Sequence, residues 1–305
     1  MLSARIDSWL ARFAASGKTL PGSRSTRYVD TAAGRIRVLD AGGAGPAVIF
    51  VPDGPNVIEH YERLIPLLTP RLGVVCFDMP GFGFSLPSAS YTHSLDQGAA
   101  TVLAVLDALQ IERATLAFSC ANGFYALRAA KLAPHRINSL FLSQTPSLAA
   151  MHQWVQRIVP VLLGIPVLGQ LALWFTRKRT AHGWYGAALP KSTEREPFRA
   201  LARHALQCGA CFSLAGIVQG LGRETDDAIG GVTAPCTLVW GPQDRSHLPT
   251  PAASLQVCVP QAELVLFDDC GHFPDLEQPQ RYAKLLVAHV LGMAQAHAHA
   301  LPRAA

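Results

Sequence analysis

Six short runs of apolar or β-branched residues recur along the chain, at 47–51, 73–77, 114–118, 139–142, 236–240 and 263–267. Most are apolar at every position rather than at alternate ones, as strands buried on both faces are. Between them, apolar residues return every three or four positions over 58–68, 95–109, 122–132 and 280–291, which predicts helices. Strands alternating with helices imply an α/β fold built on a mainly parallel, doubly covered sheet. The alternation lapses between about 146 and 231, where the pattern is helical and aromatics are frequent (Trp154, Trp174, Phe175, Trp184, Tyr185). Residues 146–231 are therefore expected to form a helical lid inserted into a core made of 26–145 and 232–293. An N-terminal helix and extension are expected over 1–25, and a flexible Ala/His-rich tail over 294–305.

Two apolar stretches lie outside this framework. Leu2, Ile6, Trp9, Leu10 and Phe13 share one helical face, with Arg5 and Arg12 elsewhere. A helix packed on the body is the expectation, and a membrane-surface or targeting helix is the less favoured alternative. Residues 158–175 are uncharged over nearly the length of a membrane span, interrupted by Gly164, Pro166 and Gly169 and followed by Arg177, Lys178 and Arg179. They are expected to be buried in the lid, with 162–175 and Trp184 lining an apolar cavity; an interfacial helix pair is the alternative.

Composition narrows the function. The 305 residues carry 26 Lys and Arg against 21 Asp and Glu, a net +5 spread without a basic block, which argues against nucleic acid as a partner. Only 15% of residues are charged and 50% are apolar, so disorder is excluded and a large core is expected. Seven cysteines, an odd number in a chain that needs no staples, read as buried thiols in a reducing, cytoplasmic setting. Cys208-Gly209-Ala210-Cys211 has no second pair or histidine spacing and reads as buried thiols rather than a zinc or redox motif.

In open parallel sheets the reactive groups lie just past the carboxyl ends of the strands. Those positions here hold Pro52-Asp53-Gly54-Pro55, Ser119-Cys120-Ala121-Asn122-Gly123, Gly241-Pro242-Gln243-Asp244 and Asp268-Asp269-Cys270-Gly271-His272. A candidate nucleophile, an acid and a histidine thus follow one another along one sheet edge. His60 and His247 could reach the mouth of such a site, but each is expected to be exposed.

From about Tyr28 to Leu291 the chain resembles the α/β-hydrolase superfamily. The likeness rests on Asp78-Met79-Pro80-Gly81-Phe82-Gly83-Phe84-Ser85, on Gln110-Ile111-Glu112-Arg113-Ala114-Thr115-Leu116, and on Gly271-His272-Phe273-Pro274-Asp275-Leu276-Glu277-Gln278-Pro279. The nucleophile elbow departs from G-x-S-x-G. The ungapped frame sets Phe118 and Asn122 at the glycines and Cys120 at the serine; a frame shifted by one would make Ser119 the nucleophile. Cysteine at this point resembles enzymes such as dienelactone hydrolase. The resemblance implies His272 as the base, Asp244 as the carboxylate that orients it, and Gly54 and Ala121 as the oxyanion amides. A helix N-terminus and a neighbouring histidine are expected to lower the pKa of the Cys120 thiol. Asp53 replaces part of the family's His-Gly and is either a loop carboxylate bonding its own backbone or a substrate contact.

The chain is accordingly expected to be a cofactor-free, metal-free hydrolase or acyl transferase. A small apolar ester, thioester or lactone would form an acyl-enzyme on Cys120, with Asp53, Asn122, Trp154, Trp174 and Trp184 near it. The rival expectation is a catalytically silent hydrolase fold that binds a small apolar ligand, given the changes at Pro52, Asp53, Phe118, Cys120 and Asn122. A carboxylate nucleophile is absent from the elbow, which sets aside a dehalogenase or epoxide hydrolase. The oligomeric state stays open.

Overall fold

The computed structural model describes residues 1–16, 18 and 26–300, with the side chains of 294–300 left aside. Helix α1 (Leu2–Ala15) leads to an antiparallel hairpin, β1 (Thr26–Thr31) and β2 (Gly34–Gly42), and then to the first parallel strand, β3 (Ala47–Val51). The helix expected over 58–68 is broken into a 3-10 segment at Ile58–Arg63 and one turn, α2 (Ile65–Leu68), next to Pro66. Then come β4 (Gly73–Phe77), the two-residue strands β5 (Phe82–Gly83) and β6 (Leu86–Pro87), α3 (Leu95–Ala108), β7 (Ala114–Phe118), α4 (Ala121–Leu132) and β8 (Ile137–Ser143).

After β8 the chain leaves the sheet for α5 (Leu148–Ile158), α6 (Leu168–Ala188), α7 (Glu196–Gln207), the short strand β9 (Cys211–Phe212) and α8 (Leu214–Leu221). It returns with β10 (Cys236–Trp240), β11 (Ala262–Leu266), α9 (Pro274–Glu277) and α10 (Pro279–Ala300). The last helix thus runs into the segment expected to be a tail, and 301–305 lie outside the described residues.

The main sheet runs β1-β2-β4-β3-β7-β8-β10-β11, parallel from β4 to β11 and antiparallel at β1 and β2, with β6 attached to β2. Alternate residues of β3 face opposite sides: Ile49 and Val51 join the core under α3 and α4, whereas Val48 and Phe50 join the core under α2 and α10. A strand buried this way has no polar side to show, so its sequence is continuous hydrophobicity. Ser94 and Ser147 cap α3 and α5, their hydroxyls accepting from the amides of Gln97 (3.4 Å) and Ala150 (3.1 Å) and so fixing where each helix starts.

Arg37 on β2 is fully buried, paired with Glu59 and with Asp78 (3.5 Å). The pairing ties the hairpin to the loop after β4, and removing Arg37 would leave the buried Asp78 without its cation. The turn Gly81-Phe82-Gly83 is clamped by β9, with Phe82 opposite Phe212. Cys211 therefore sits in a strand rather than in the helical sequence assumed for the Cys-x-x-Cys; it is buried and Cys208 is partly exposed.

Two apolar stretches keep large side chains in contact with water. Helix α1 turns Ala4, Asp7, Ser8, Leu10, Ala11 and Ala14 inward and leaves Leu2, Trp9 and Phe13 exposed. The 158–175 stretch is likewise not a buried element: Val161, Leu162, Leu168 and Phe175 are exposed. Continuous hydrophobicity signals burial only when a partner covers every side, and here only Leu163, Gly169, Gln170 and Leu173 of that stretch find one.

Candidate active site

Between β7 and α4 the chain makes its sharpest turn at Cys120, a non-glycine residue held at φ 51°, ψ −126°. Such a conformation costs an L-residue free energy and persists only where neighbours enforce it. The neighbours are the Ser143 carbonyl, which accepts from the Cys120 amide (2.8 Å), and Thr145 Oγ1, which donates to the Cys120 carbonyl (3.1 Å). Asn122, at the second glycine position of the elbow, donates from Nδ2 to the Pro52 carbonyl (3.3 Å), tying the elbow to the loop after β3. Its Oδ1 is buried with no partner among the described residues. Cys120 lines the cavity; Ser119 stays in the sheet, bridged to Ser143.

His272 is carried by the turn after β11. Glu277 shapes that turn, its carboxylate accepting from the amides of Gly271 (3.0 Å) and Phe273 (3.1 Å). The imidazole is fully buried, and Nδ1 donates to Asp244 Oδ2 at 2.5 Å. Asp244 also accepts from Ser246 N (2.9 Å), Ser246 Oγ (2.7 Å) and Gln144 Nε2 (3.0 Å). Burial alone would raise the Asp244 pKa, but His272, with help from His247 and Ser246, holds it below the usual carboxylate range.

The other face of the imidazole meets a second carboxylate, because His272 Nε2 donates to Asp53 Oδ2 at 3.0 Å. The Asp53 side chain therefore does not bond its own loop; its backbone carbonyl does that, accepting from Asn56 N (2.9 Å). Burial opposes a charge on His272, yet Asp244, Cys120 and Asp53 together push its pKa well above that of a free histidine. The ring thus lies between two acids that both favour its protonated form.

This arrangement reverses the expectation for the thiol. Burial and the Asp53 carboxylate raise the Cys120 pKa above that of a free thiol, against the opposing pull of His272 and the Ala121 amide. The surroundings thus favour the thiol of Cys120 over its thiolate. The pKa of Asp53 is itself raised, chiefly by burial and in part by the Asp244 charge, against the pull of His272. Asp53→Asn keeps an oxygen for Nε2–H and deletes the charge, so the alkylation rate of Cys120 by iodoacetamide plotted against pH is expected to shift to lower pH. An unshifted curve would show that the carboxylate does not act on the sulfur.

The sulfur of Cys120, an Asp53 oxygen and a His272 nitrogen lie within 4.8 Å of one another, as do donor atoms of Asp244, His247 and His272. These are the groups whose geometry could hold a metal. His247 is buried rather than exposed: its ring stacks on His272 (5.4 Å) and on Trp154 (5.0 Å, 7° between planes), and burial lowers its pKa to about 3. His60 is also buried, its Nδ1 accepting from Val57 N (3.0 Å) in the 3-10 turn.

A cavity of about 270 Å³ opens over Cys120, lined by Asp53, Gly54, Phe82, Cys120, Ala121, Asn122, Trp154, Trp184 and Phe212 with residues of α5 and α8. Gly54 is required there: a Cβ would lie 2.9 Å from the Phe82 ring and 3.0 Å from that of Phe212. Gly54 and Ala121, the expected oxyanion positions, thus flank Cys120 at the cavity wall. Trp184 also meets His272 edge-on (5.2 Å). Trp174 does not line the cavity; it packs against Phe13 (5.9 Å) beneath the Arg177 guanidinium (3.6 Å). The walls assigned to 162–175 are instead Met151, Val155, Leu214, Ile217, Val218 and Leu221. The apolar spacing at 214, 217, 218 and 221 was a signal of this, but periodicity does not say which surface a helix covers.

Residues 48–285 match the alpha/beta hydrolase family model, most of the chain. The chain belongs to the alpha/beta hydrolase family. This hydrolase is 25% identical over 271 residues to a 2-hydroxymuconate semialdehyde hydrolase of Pseudomonas sp. (strain CF600), covering 85% of this chain and 92% of that protein. It is 27% identical over 259 residues to a pimeloyl-[acyl-carrier protein] methyl ester esterase of Aeromonas hydrophila, covering 82% and 97% of the two chains. Epoxide hydrolase A from Mycobacterium thermoresistibile shares the fold, with a TM-score of 0.74 at 19% identity over 88% of this chain and 99% of that one.

Proposed function

We propose that this hydrolase cleaves a small apolar ester, thioester or lactone through an acyl-enzyme on Cys120, without a cofactor, under a lid formed by α5 to α8. The observation that carries the reading is the His272 imidazole between Asp244 and Asp53, beside a thiol at the elbow that faces an apolar cavity. Esterase and hydrolase relatives that span most of the chain support the ester class.

The proton inventory sets the steps. Cys120 gives its proton to Asp53, whose raised pKa makes it a competent acceptor, and the thiolate attacks the carbonyl carbon. Because Asp53 is neutral at that moment, it does not repel the oxyanion, which the amides of Gly54 and Ala121 receive. The carbon–oxygen bond breaks, and the leaving oxygen takes the Nε2 proton of His272. Water then attacks the thioester and returns a proton to Nε2; the carbon–sulfur bond breaks, and Cys120 recovers its proton from Asp53.

Mixing the protein with p-nitrophenyl esters of graded chain length and quenching within one turnover tests this. A mass increase equal to the acyl group, on the peptide containing Cys120, is expected, with kcat/KM rising up to a chain that fills about 270 Å³. Each buried methylene should contribute up to ~0.8 kcal/mol. Steady turnover with no acyl adduct at any quench time would exclude the covalent route, and preference for acetyl over every longer ester would exclude the apolar pocket.

A further inference from the structure

Helix α1 is inverted relative to an ordinary surface helix. Apart from Leu10, its inward face is small or polar, with Asp7 accepting from Gln170 Nε2 (3.2 Å) and Ser8 donating to the Pro87 carbonyl (2.8 Å). Its outward face carries Trp9 and Phe13, each 60% exposed and stacked on one another at 5.6 Å. A helix that needed only to dock on the body would point those rings inward, because burying them is its largest available gain.

The exposed face does not stop at α1. Phe13 touches Trp174 of α6, and α6 shows Leu168, Leu171 and Phe175 at i, i+3 and i+7, with Phe175 83% exposed. In the turn before it Val161 is 85% exposed. Large side chains from α1, α6 and the turn that leads into α6 thus form one uncovered apolar surface of the kind that marks an interaction site.

Charge selects the occupant. The exposed charged residues of the two helices are Arg5, Arg12, Lys178 and Arg179, all cationic, while the one acid, Asp7, is buried. A second copy of the chain laid on this face would set these cations against one another. An anionic bilayer surface satisfies both features at once, with aromatic and aliphatic side chains at the acyl boundary and Arg and Lys among the headgroups. No helix among the described residues is long and apolar enough to cross a membrane, so contact through these helices would be peripheral.

We propose that α1, the 161–167 turn and the N-terminal half of α6 form a docking face for an anionic lipid surface. The face adjoins the cavity: Thr180 and Trp184, which line it, follow Phe175 on the same helix, Thr180 about 7.5 Å further along the axis. An apolar substrate dissolved in the bilayer would reach the cavity along α6. The docking itself does not depend on the role assigned to Cys120.

Flotation of the full-length chain with phosphatidylcholine vesicles, with and without phosphatidylglycerol, tests the proposal. Co-flotation is expected with phosphatidylglycerol, weakening as salt is raised, with a blue shift of tryptophan emission that Trp9→Phe reduces. A Trp9→Ser/Phe13→Ser/Phe175→Ser variant should lose about tenfold or more in vesicle affinity while hydrolysing a soluble short-chain ester as the wild type does. The variant Arg5→Gln/Arg12→Gln/Lys178→Gln/Arg179→Gln keeps the aromatic face and should lose the preference for phosphatidylglycerol. The proposal is overturned if the wild type stays unbound with both vesicles. It is equally overturned if the wild type is a dimer that the serine variant splits, since the face would then belong to a second copy.

Discussion

Cys120→Ala is expected to abolish ester turnover while leaving the cavity and its ligand affinity in place. Cys120 is 6% exposed at an enforced φ of 51°, and alanine fits that position with no new atom to accommodate. Loss of a covalent nucleophile typically costs ~10³-fold or more, and only the oxyanion amides and binding remain. Cys120→Ser discriminates further. In a serine hydrolase the histidine presents an unprotonated Nε2 to the hydroxyl, whereas here Nε2 donates to Asp53 (3.0 Å), and the proposed acceptor for the nucleophile's proton is that carboxylate. A carboxylate, even with its pKa raised, is a poor base for an alcohol, so the serine variant should lose most of the rate as well. A serine variant close to wild type would mean that His272 is neutral during turnover and that Asp53 moves aside. Full activity in the alanine variant would place the nucleophile elsewhere.

The second large effect is expected at Asp244. Asp244→Asn keeps the shape of the pocket, and Gln144 and Ser246 still offer hydrogen bonds to the amide, so folding should be retained. Turnover should fall by ~10²- to 10⁴-fold, in kcat more than in KM, because the imidazole loses the partner that fixes its orientation and its charge. The pH profile carries the sign. The Asp244 charge is one cause of the raised His272 pKa, and the mechanism needs His272 protonated when the leaving group departs. Removing that charge lets His272 deprotonate at lower pH, so the alkaline limb of kcat/KM should move to lower pH. An unchanged rate and profile would show that Asp53 alone fixes the ring.

The amino-acid sequence by itself determined the parallel strands of the sheet and placed three candidate site residues just past them. Runs such as 114–118 and 236–240 are apolar at every position because both sides of the strand are covered, and the structure has β7 and β10 at those residues. Cys120, Asp244 and His272 each follow a strand within a few residues, where the connectivity of a parallel sheet brings them to one edge. The broken helix at 58–68 and the unrecognised β1 and β2 mark the limit of local pattern: the half-buried β1 shows only partial burial along its length and is held by pairing with β2. Tertiary structure alone decided the rest, since the remaining questions were about distance and cover. That Asp53 meets Nε2 of His272, 219 residues away, depends on how the loop after β3 turns, and the burial of Cys120 together with that carboxylate raises the thiol pKa where the elbow position alone would lower it. That His247 stacks beneath Trp154 rather than facing water depends on α5 closing over it. The apolar residues of 158–175 and of α1 were legible as apolar, but hydrophobicity records what a side chain would gain by leaving water and not whether a neighbour is there to receive it. Only the packed chain reveals that α8 lines the cavity while Phe175 and Trp9 are left facing outward.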